Sequence, residues 1–557
     1  MSLLVFLARA SRRLFITALV SSVLSGLAGS WVVVLINRSL AASPEELAGL
    51  GLPFGLVCVG MLLLRWLSQS RFVRLRHRTV ARLREHVSQH IAEAPYRDLE
   101  RWGAARLWAV LIEDIATVSE FFVALPRLLT QGAIVLGCLG YLGWLSWQAF
   151  LFALVMVLLG SKARSWGGRQ AGEYLARARA EEDELHRHFQ ALLGGAKELR
   201  LNTARRTTFI DSVLGASIGR VRRERSRGLL IYVGAASWGS FLFFVVIGSV
   251  VFGLSSWLDL SAAVRAGYTL MLLYMMHPME LLMESLPELS RAKIALEHIR
   301  DIGVGAKSLE PEPIPQAPAA FRGLRLSAVT HTYRREADDG VFAVGPLDLE
   351  LSPGEVVFVI GGNGSGKTTL AKLLVGLYAP ETGCIELNDA LVGAETREGY
   401  RQSFSAVFSD FHLFDKLLGI ASGGLDERAL QLLRSLELER HVVVKDGAFS
   451  TTQLSLGQRK RLALLVARLE DRSVYVFDEW AADQDPAYKD VFYRELLPEL
   501  RASGKAVLVI THDDHYFGLA DRCLRLENGR LSTWRAAVGG VPARRLVALH
   551  QDALERG

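Results

Sequence analysis

Gly361-Gly-Asn-Gly-Ser-Gly-Lys-Thr-Thr369 is the stretch that decides the fold of the C-terminal half. It fits G-x-x-x-x-G-K-[ST] with Gly361, Gly366, Lys367 and Thr368 in register. Val356-Val-Phe-Val-Ile360, just before it, is an apolar, β-branched run that predicts a buried strand, and residues 369–376 open as a helix. Such a strand–loop–helix unit brings backbone N–H groups to phosphate oxygens. The residues are Gly361, Gly362, Asn363, Gly364, Ser365, Gly366 and Thr369; the glycines permit close approach and the helix start adds a favourable dipole. Lys367 supplies a point charge for the β- and γ-phosphates, and the Thr368 hydroxyl is a ligand for Mg²⁺. The pattern predicts an α/β domain that binds ATP.

Outward from that loop, Val474-Tyr-Val-Phe-Asp478-Glu479 reads as a second buried strand ending on two carboxylates. Asp478 is placed to hold Mg²⁺ through water and Glu479 to polarise an attacking water. Leu454-Ser-Leu-Gly-Gln458 precedes a basic, apolar helix, and its Ser–x–Gly turn makes a second anion cradle with no general base.

This last segment resembles the LSGGQ signature of ATP-binding-cassette proteins, with Leu456 in place of the first Gly. The resemblance implies that Ser455, Gly457 and Gln458 complete the nucleotide site of an opposite subunit. It makes His512, at the end of Val507-Leu-Val-Ile-Thr-His512, the histidine that senses the γ-phosphate, and Asp485 the carboxylate that bridges two sites. Tyr333 falls where the family stacks an aromatic ring on adenine; the alternative is an ordinary strand aromatic. The family's Gln that links Mg²⁺ to the membrane domain is replaced by Ser409, which is too short for the same reach. Asp410 is then expected to serve Mg²⁺ through a water, or else to cap the following turn.

The N-terminal half has a different character. Mean hydropathy is +0.23 with 50% apolar residues, and the excess sits before about residue 285. Apolar runs predict six spans, at about 14–36, 49–67, 129–145, 147–160, 229–254 and 263–283. The block 128–160 reads as two short spans turning at Trp144-Leu-Ser-Trp-Gln148, or as one kinked span. Arg-rich stretches follow spans two and four and precede span five, so the positive-inside rule expects both termini in the cytoplasm. The loops at about 68–127 and 162–228 are long, helix-compatible and nearly free of Pro, so the helices are expected to run well past the bilayer. Arg65 and Arg265 are expected to snorkel at span ends, whereas Glu280 is expected near an aqueous cavity. The run from Glu310 to Pro318 is Pro-rich and extended. The expected domains are therefore 1–305 transmembrane, 306–320 linker, 321–540 cassette and 541–557 tail.

The net charge of +6 fits lipid headgroups rather than nucleic acid, since no nucleic-acid module appears. The four cysteines are isolated, which excludes a zinc cluster or disulfide framework and reads as small buried hydrophobes. Phe358-Val-Ile-Gly-Gly-Asn-Gly-Ser-Gly-Lys, Phe408-Ser-Asp-Phe-His-Leu-Phe, Asp478-Glu-Trp-Ala-Ala-Asp-Gln-Asp-Pro486 and Gly195-Ala-Lys-Glu-Leu-Arg-Leu-Asn202 narrow the resemblance further. They are similar to the bacterial exporter branch that handles pyoverdine precursors and syringomycin-type lipopeptides. The resemblance implies a type IV exporter architecture: six membrane helices fused to a cytoplasmic P-loop ATPase, homodimeric, in the bacterial inner membrane. It would use ATP and Mg²⁺ to export a cyclic or nonribosomal peptide or peptidic siderophore. A lipid or glycolipid flippase and a regulatory ATPase that does not transport are the alternatives.

Overall fold

The computed structural model describes residues 12–254, 257–258, 260–302, 320–334, 341–421 and 423–534. The expected linker falls almost wholly outside these residues, and the expected C-terminal tail entirely so. The chain divides into two compact units, 1–93 with 102–307, and 94–101 with 308–557.

The first unit is helical. Its long helices are α1 (Arg12–Ala41), α2 (Pro44–Glu93), α4 (Ile115–Leu145), α5 (Trp147–Gly194), α6 (Gly215–Gly248) and α7 (Ala262–Asp301); a short α3 (Tyr96–Trp102) lies between α2 and α4. Each expected span lies within one of them, with span five running on into a π-helical turn at Ser249–Leu254. Among the described residues four helical stretches are long and apolar enough to cross a membrane, and Trp147–Met156 adds a shorter one. At 1.5 Å per residue the 50 residues of α2 reach about 75 Å, more than twice a hydrocarbon core of ~30 Å.

The block 128–160 is two helices rather than one kinked helix. Ser146 between them is extended (φ −161°, ψ 110°), and its hydroxyl accepts from the Ala149 N–H to cap α5. The buried Tyr268 hydroxyl sits 2.8 Å from the Leu142 carbonyl and 2.7 Å from that of Ser146, adding a side-chain partner to carbonyls that already accept the Ser146 and Phe150 N–H groups. Trp144 and Trp147 on either side are exposed.

Two apolar cores hold this unit. One joins Phe72 and Leu75 of α2, Phe121 and Phe122 of α4, and Ala292 and Ile299 of α7. The other joins Val33 and Val34 of α1, Cys138 and Leu142 of α4, and Tyr268 and Met271 of α7. Close approach of α1 to α4 depends on Gly26, where a Cβ would sit 2.6 Å from the Cβ of Ala133. Glu280 accepts a hydrogen bond from Ser240 across α6 and α7 at 2.7 Å. Of the cysteines, Cys138 and Cys523 are buried as expected, whereas Cys58 and Cys384 are only half-buried.

In the second unit a six-stranded sheet carries the nucleotide-binding side chains. Strands are β1 (Leu324–Arg334), β2 (Val341–Leu351), β3 (Val356–Ile360), β4 (Thr382–Leu387), β5 (Ala390–Leu391), β6 (Phe404–Val407), β7 (Val444–Lys445), β8 (Ala448–Phe449), β9 (Val474–Asp478), β10 (Ala506–Ile510), β11 (Arg522–Glu527) and β12 (Arg530–Trp534). The large sheet has the order β12-β11-β3-β10-β9-β6, with β11, β3, β10, β9 and β6 parallel; β2-β1-β4-β5 form a separate antiparallel sheet. Every residue of β3, β9 and β10 is buried, as continuous apolar runs covered on both faces require. Because these neighbours run parallel, their C-terminal ends gather on one edge, where α/β sheets bind ligands.

Residues 94–101 group with this unit although the sequence places them in the first half. Lys372 donates to Glu100 Oε1 at 2.7 Å, the Tyr378 hydroxyl bonds the other Glu100 oxygen, and Arg97 pairs with Glu381 at 3.3 Å. The rings of Tyr96 and Tyr378 meet at 6.1 Å.

Candidate functional site

The loop after β3 leads into α8 (Lys367–Leu374) through Gly366, whose φ of 102° favours glycine; a Cβ there would also meet Val344 Cγ2 at 2.7 Å. Lys367 is buried, and its ammonium donates to the carbonyls of Gly361 at 2.9 Å and Gly362 at 3.0 Å. Burial pulls its pKa below the usual lysine range, with Glu479 and Asp478 opposing. The Ser365 hydroxyl is buried with no hydrogen-bond partner, a polar atom left for a ligand.

β9 and β6 bring the acidic side of the site. Thr368 donates to Asp478 Oδ2 at 3.0 Å, and Ser409 donates to the same oxygen at 3.5 Å. Ser409 was expected to be too short for the family Gln's reach to Mg²⁺; its hydroxyl lies beside the Asp478 carboxylate, where the parallel register of β6 and β9 sets the two strand ends side by side. Burial raises the Asp478 pKa above the usual aspartate range, and the Thr368 hydrogen bond opposes it. The Thr368 hydroxyl and the Asp478 carboxylate are hard oxygen donors of the kind Mg²⁺ takes alongside phosphate oxygens, so the residues fit that ion. Asp410 is exposed, and its charge acts on Tyr96 and Lys372 as well as on Asp478.

Glu479 follows in the left-handed region (φ 52°, ψ 34°), strained for a residue with a side chain. Three contacts hold it: its N–H donates to the Ile510 carbonyl at 3.0 Å, Lys460 donates to its carbonyl at 2.8 Å, and its carboxylate lies 3.3 Å from His512 Nε2. The helix α10 (Leu456–Glu470) starts at Ser455, which forms a reciprocal capping box with Gln458. Gln484 donates to the Gly457 carbonyl at 3.0 Å, and Asp485 accepts from Arg461 at 2.8 Å while capping the next helix through the Tyr488 N–H.

A cavity of about 380 Å³ is lined by Phe342, Asn363, Gly364, Gly366, Lys367, Thr368, Thr369 and Glu479. The chain thus brings the phosphate loop and Glu479 together, with Asp478, Ser409 and His512 around them. None of Ser455, Gly457, Gln458 or Asp485 lines this cavity. Phe342, which sequence reasoning missed, is the aromatic at its wall; it pairs in register with Tyr333 across β1 and β2. The Tyr333 side chain lies outside the described residues.

Known proteins share this arrangement. The chain matches the ABC transporter family over residues 344–482 and the ABC transporter transmembrane region over residues 13–279. It is 34% identical over 536 residues to ATP-binding protein SyrD of Pseudomonas syringae pv. syringae, covering 94% of both chains. The β-(1→2)glucan export ATP-binding/permease protein NdvA of Bartonella bacilliformis is 27% identical over 233 residues, 40% of this chain and 38% of that protein. The arabinose import ATP-binding protein AraG 2 of Burkholderia thailandensis is 31% identical over 239 residues, 41% and 44% of the two chains. The last two alignments are partial, whereas the first spans membrane region and cassette alike. The chain therefore belongs to the ABC transporter family, as an exporter-type half-transporter that joins a membrane region to an ATP-binding ATPase domain in one polypeptide.

Proposed function

We propose that two copies of this chain form a homodimeric exporter of a cyclic or nonribosomal peptide, or a peptidic siderophore, in the bacterial inner membrane with both termini cytoplasmic. One observation supports the dimer above others: the phosphate-loop cavity carries Lys367, Thr368 and Glu479 but none of the signature residues. Ser455, Gly457 and Gln458, at the exposed start of α10, would serve the nucleotide held by the partner's loop, with Asp485 beside them. The peptide class rests on the four sequence stretches shared with the peptide and siderophore exporter branch.

In this reading ATP with Mg²⁺, when bound, supplies the phosphoanhydride whose cleavage resets the transporter. Lys367 leaves the carbonyls of Gly361 and Gly362 for the phosphates, and the loop N–H groups from Gly362 to Thr369 bind their oxygens. Thr368 and Asp478 would hold Mg²⁺, which would neutralise charge on the phosphates. Glu479 orients the attacking water, and His512, 3.3 Å from it, meets the γ-phosphate. Tyr333 or Phe342 faces the adenine. Asp410 acts through Lys372, which ties the phosphate-loop helix to Glu100 and so to the chain continuing into the membrane helices.

The test is ATP-dependent accumulation of an acylated cyclic peptide in inverted vesicles, with ATPase stimulation by the same peptide. Accumulation of a fluorescent phospholipid in the opposite leaflet, without peptide uptake, would replace this reading by a flippase. Stimulation without movement of either would make the protein a sensor.

A further inference from the structure

A partly open cavity of about 490 Å³ lies among α1, α2, α4 and α7. Two stripes of side chains face it. On α2 they are Arg65, Gln69, Phe72 and Arg76, at spacings of four, three and four; on α4 they are Val123, Arg127, Gln131 and Ile134, at four, four and three. Such spacings put each set on one helix face. Each stripe alternates a cation, an amide and an apolar group.

No acidic residue lines the cavity. Among the described residues, Arg65, Arg76 and Arg127 have no carboxylate within ion-pair distance, and Arg76 alone has a side-chain bond, donating from Nε to Ser119 Oγ at 2.7 Å. A surplus of basic residues at this end of the spans follows from lipid headgroup attraction. That attraction does not explain why three guanidinium groups line one cavity beside Gln69, Gln131 and the hydroxyls of Ser25 and Thr130. Arg76 is half-buried while Arg65 and Arg127 keep exposed side chains, so their guanidinium forks stand open to carboxylate or phosphate oxygens, which they match in pairs. Phe72, Phe122, Met61 and Leu281 supply an apolar part of the wall, beside the hydroxyls of Ser68 and Tyr274.

We propose that this cavity binds an amphipathic anion: a carboxylate or phosphate gripped by Arg65 and Arg127, with its apolar chain along the Phe72 and Phe122 wall. The proposal deepens the export reading and rests on it for the anion to be cargo. Arg65, exposed at the cavity, is the ligand-binding residue of this proposal.

The test uses the full chain in phosphatidylcholine nanodiscs and a dansylated N-acyl tripeptide ending in aspartate, compared with its bis-amide. The acid should bind about tenfold more tightly than the amide, the scale of a hydrogen bond to a charged group. Arg65→Gln combined with Arg127→Gln should abolish that preference, and Arg65→Lys with Arg127→Lys should restore part of it. If the double Gln variant fails to elute as a single species, each single variant should lose about threefold of the preference. Replacing half the lipid by phosphatidylglycerol separates the sources: loss of acid binding in the wild type makes lipid the occupant, and unchanged binding makes it cargo. Equal affinity of acid and amide in the wild type, or a preference that survives both Gln substitutions, would overturn the proposal. Failure of the export reading shows differently, as no accumulation in vesicles with the acid preference intact.

Discussion

Replacing Glu100 by Gln should uncouple peptide stimulation from ATP turnover while leaving the nucleotide site intact. Glu100 accepts from Lys372 at 2.7 Å, with side-chain exposures of 34% and 13%. Gln keeps the shape; its one carbonyl oxygen can accept from Lys372 while its amide N–H donates to the Tyr378 hydroxyl oxygen, so the loss is the charge–charge part of the Lys372 bond. A charge-assisted hydrogen bond contributes ~1.5–3 kcal/mol, and partial exposure of Glu100 reduces this to about 1 kcal/mol. That corresponds to about a fivefold fall in the ratio of peptide-stimulated to basal ATPase. Burial lowers the Lys372 pKa, but the Glu100 bond and charge outweigh it and the net shift is upward. The ammonium's contribution is then full below the ordinary lysine range and is lost only as pH rises through the raised folded value, so the ratio should be flat through neutral pH. The assay is the two ATPase rates in one nanodisc preparation for Glu100→Gln, Lys372→Met and the pair. The double variant should add little to either single one. An unchanged ratio in Glu100→Gln, or full additivity, would refute the reasoning.

Three further outcomes are expected. Glu479→Gln should bind nucleotide as wild type yet turn over ~10²–10⁴-fold more slowly, because it spares the loop, Thr368 and Asp478; hydrolysis within twofold of wild type would remove Glu479 from its role. Mixing Lys367→Ala chains with Ser455→Arg chains should leave at most one intact site per heterodimer and restore part of the activity; turnover by either variant as an isolated monomer would contradict shared sites. Asp478→Asn should raise the melting temperature of the nucleotide-free protein at pH 7 by about 2–4 °C, the effect of ~1 kcal/mol in a domain of this size. A carboxyl with a raised folded pKa is most stable protonated and detracts from stability above that pKa, so the gain should shrink as the pH is lowered through the aspartate range.

The phosphate loop, Asp478 and Glu479 were legible because each needs a local pattern: glycines before a helix, or carboxylates closing an apolar strand. The place of Ser409 beside Asp478 was not legible, because it follows from the parallel pairing of β6 with β9. Phe342 was missed since an isolated strand aromatic carries no signal until pairing places it over the loop. Residues 94–101 looked like any polar helix, and their place with the cassette depends on contacts nearly three hundred residues away in sequence.

Lys460 of α10 is buried, donates to the Glu479 carbonyl at 2.8 Å and pairs with Asp483 at 2.6 Å, while the Trp480 indole donates back to the Lys460 carbonyl at 2.8 Å. The helix that begins with Ser455 is therefore clamped, one turn later, to the backbone of the same chain's Glu479. In a dimer, whatever pulls that helix toward the nucleotide across the interface also repositions the glutamate at home. If two chains share their sites as proposed, two such linkages arranged head to tail would form a closed mechanical loop that ties each hydrolytic event to the other.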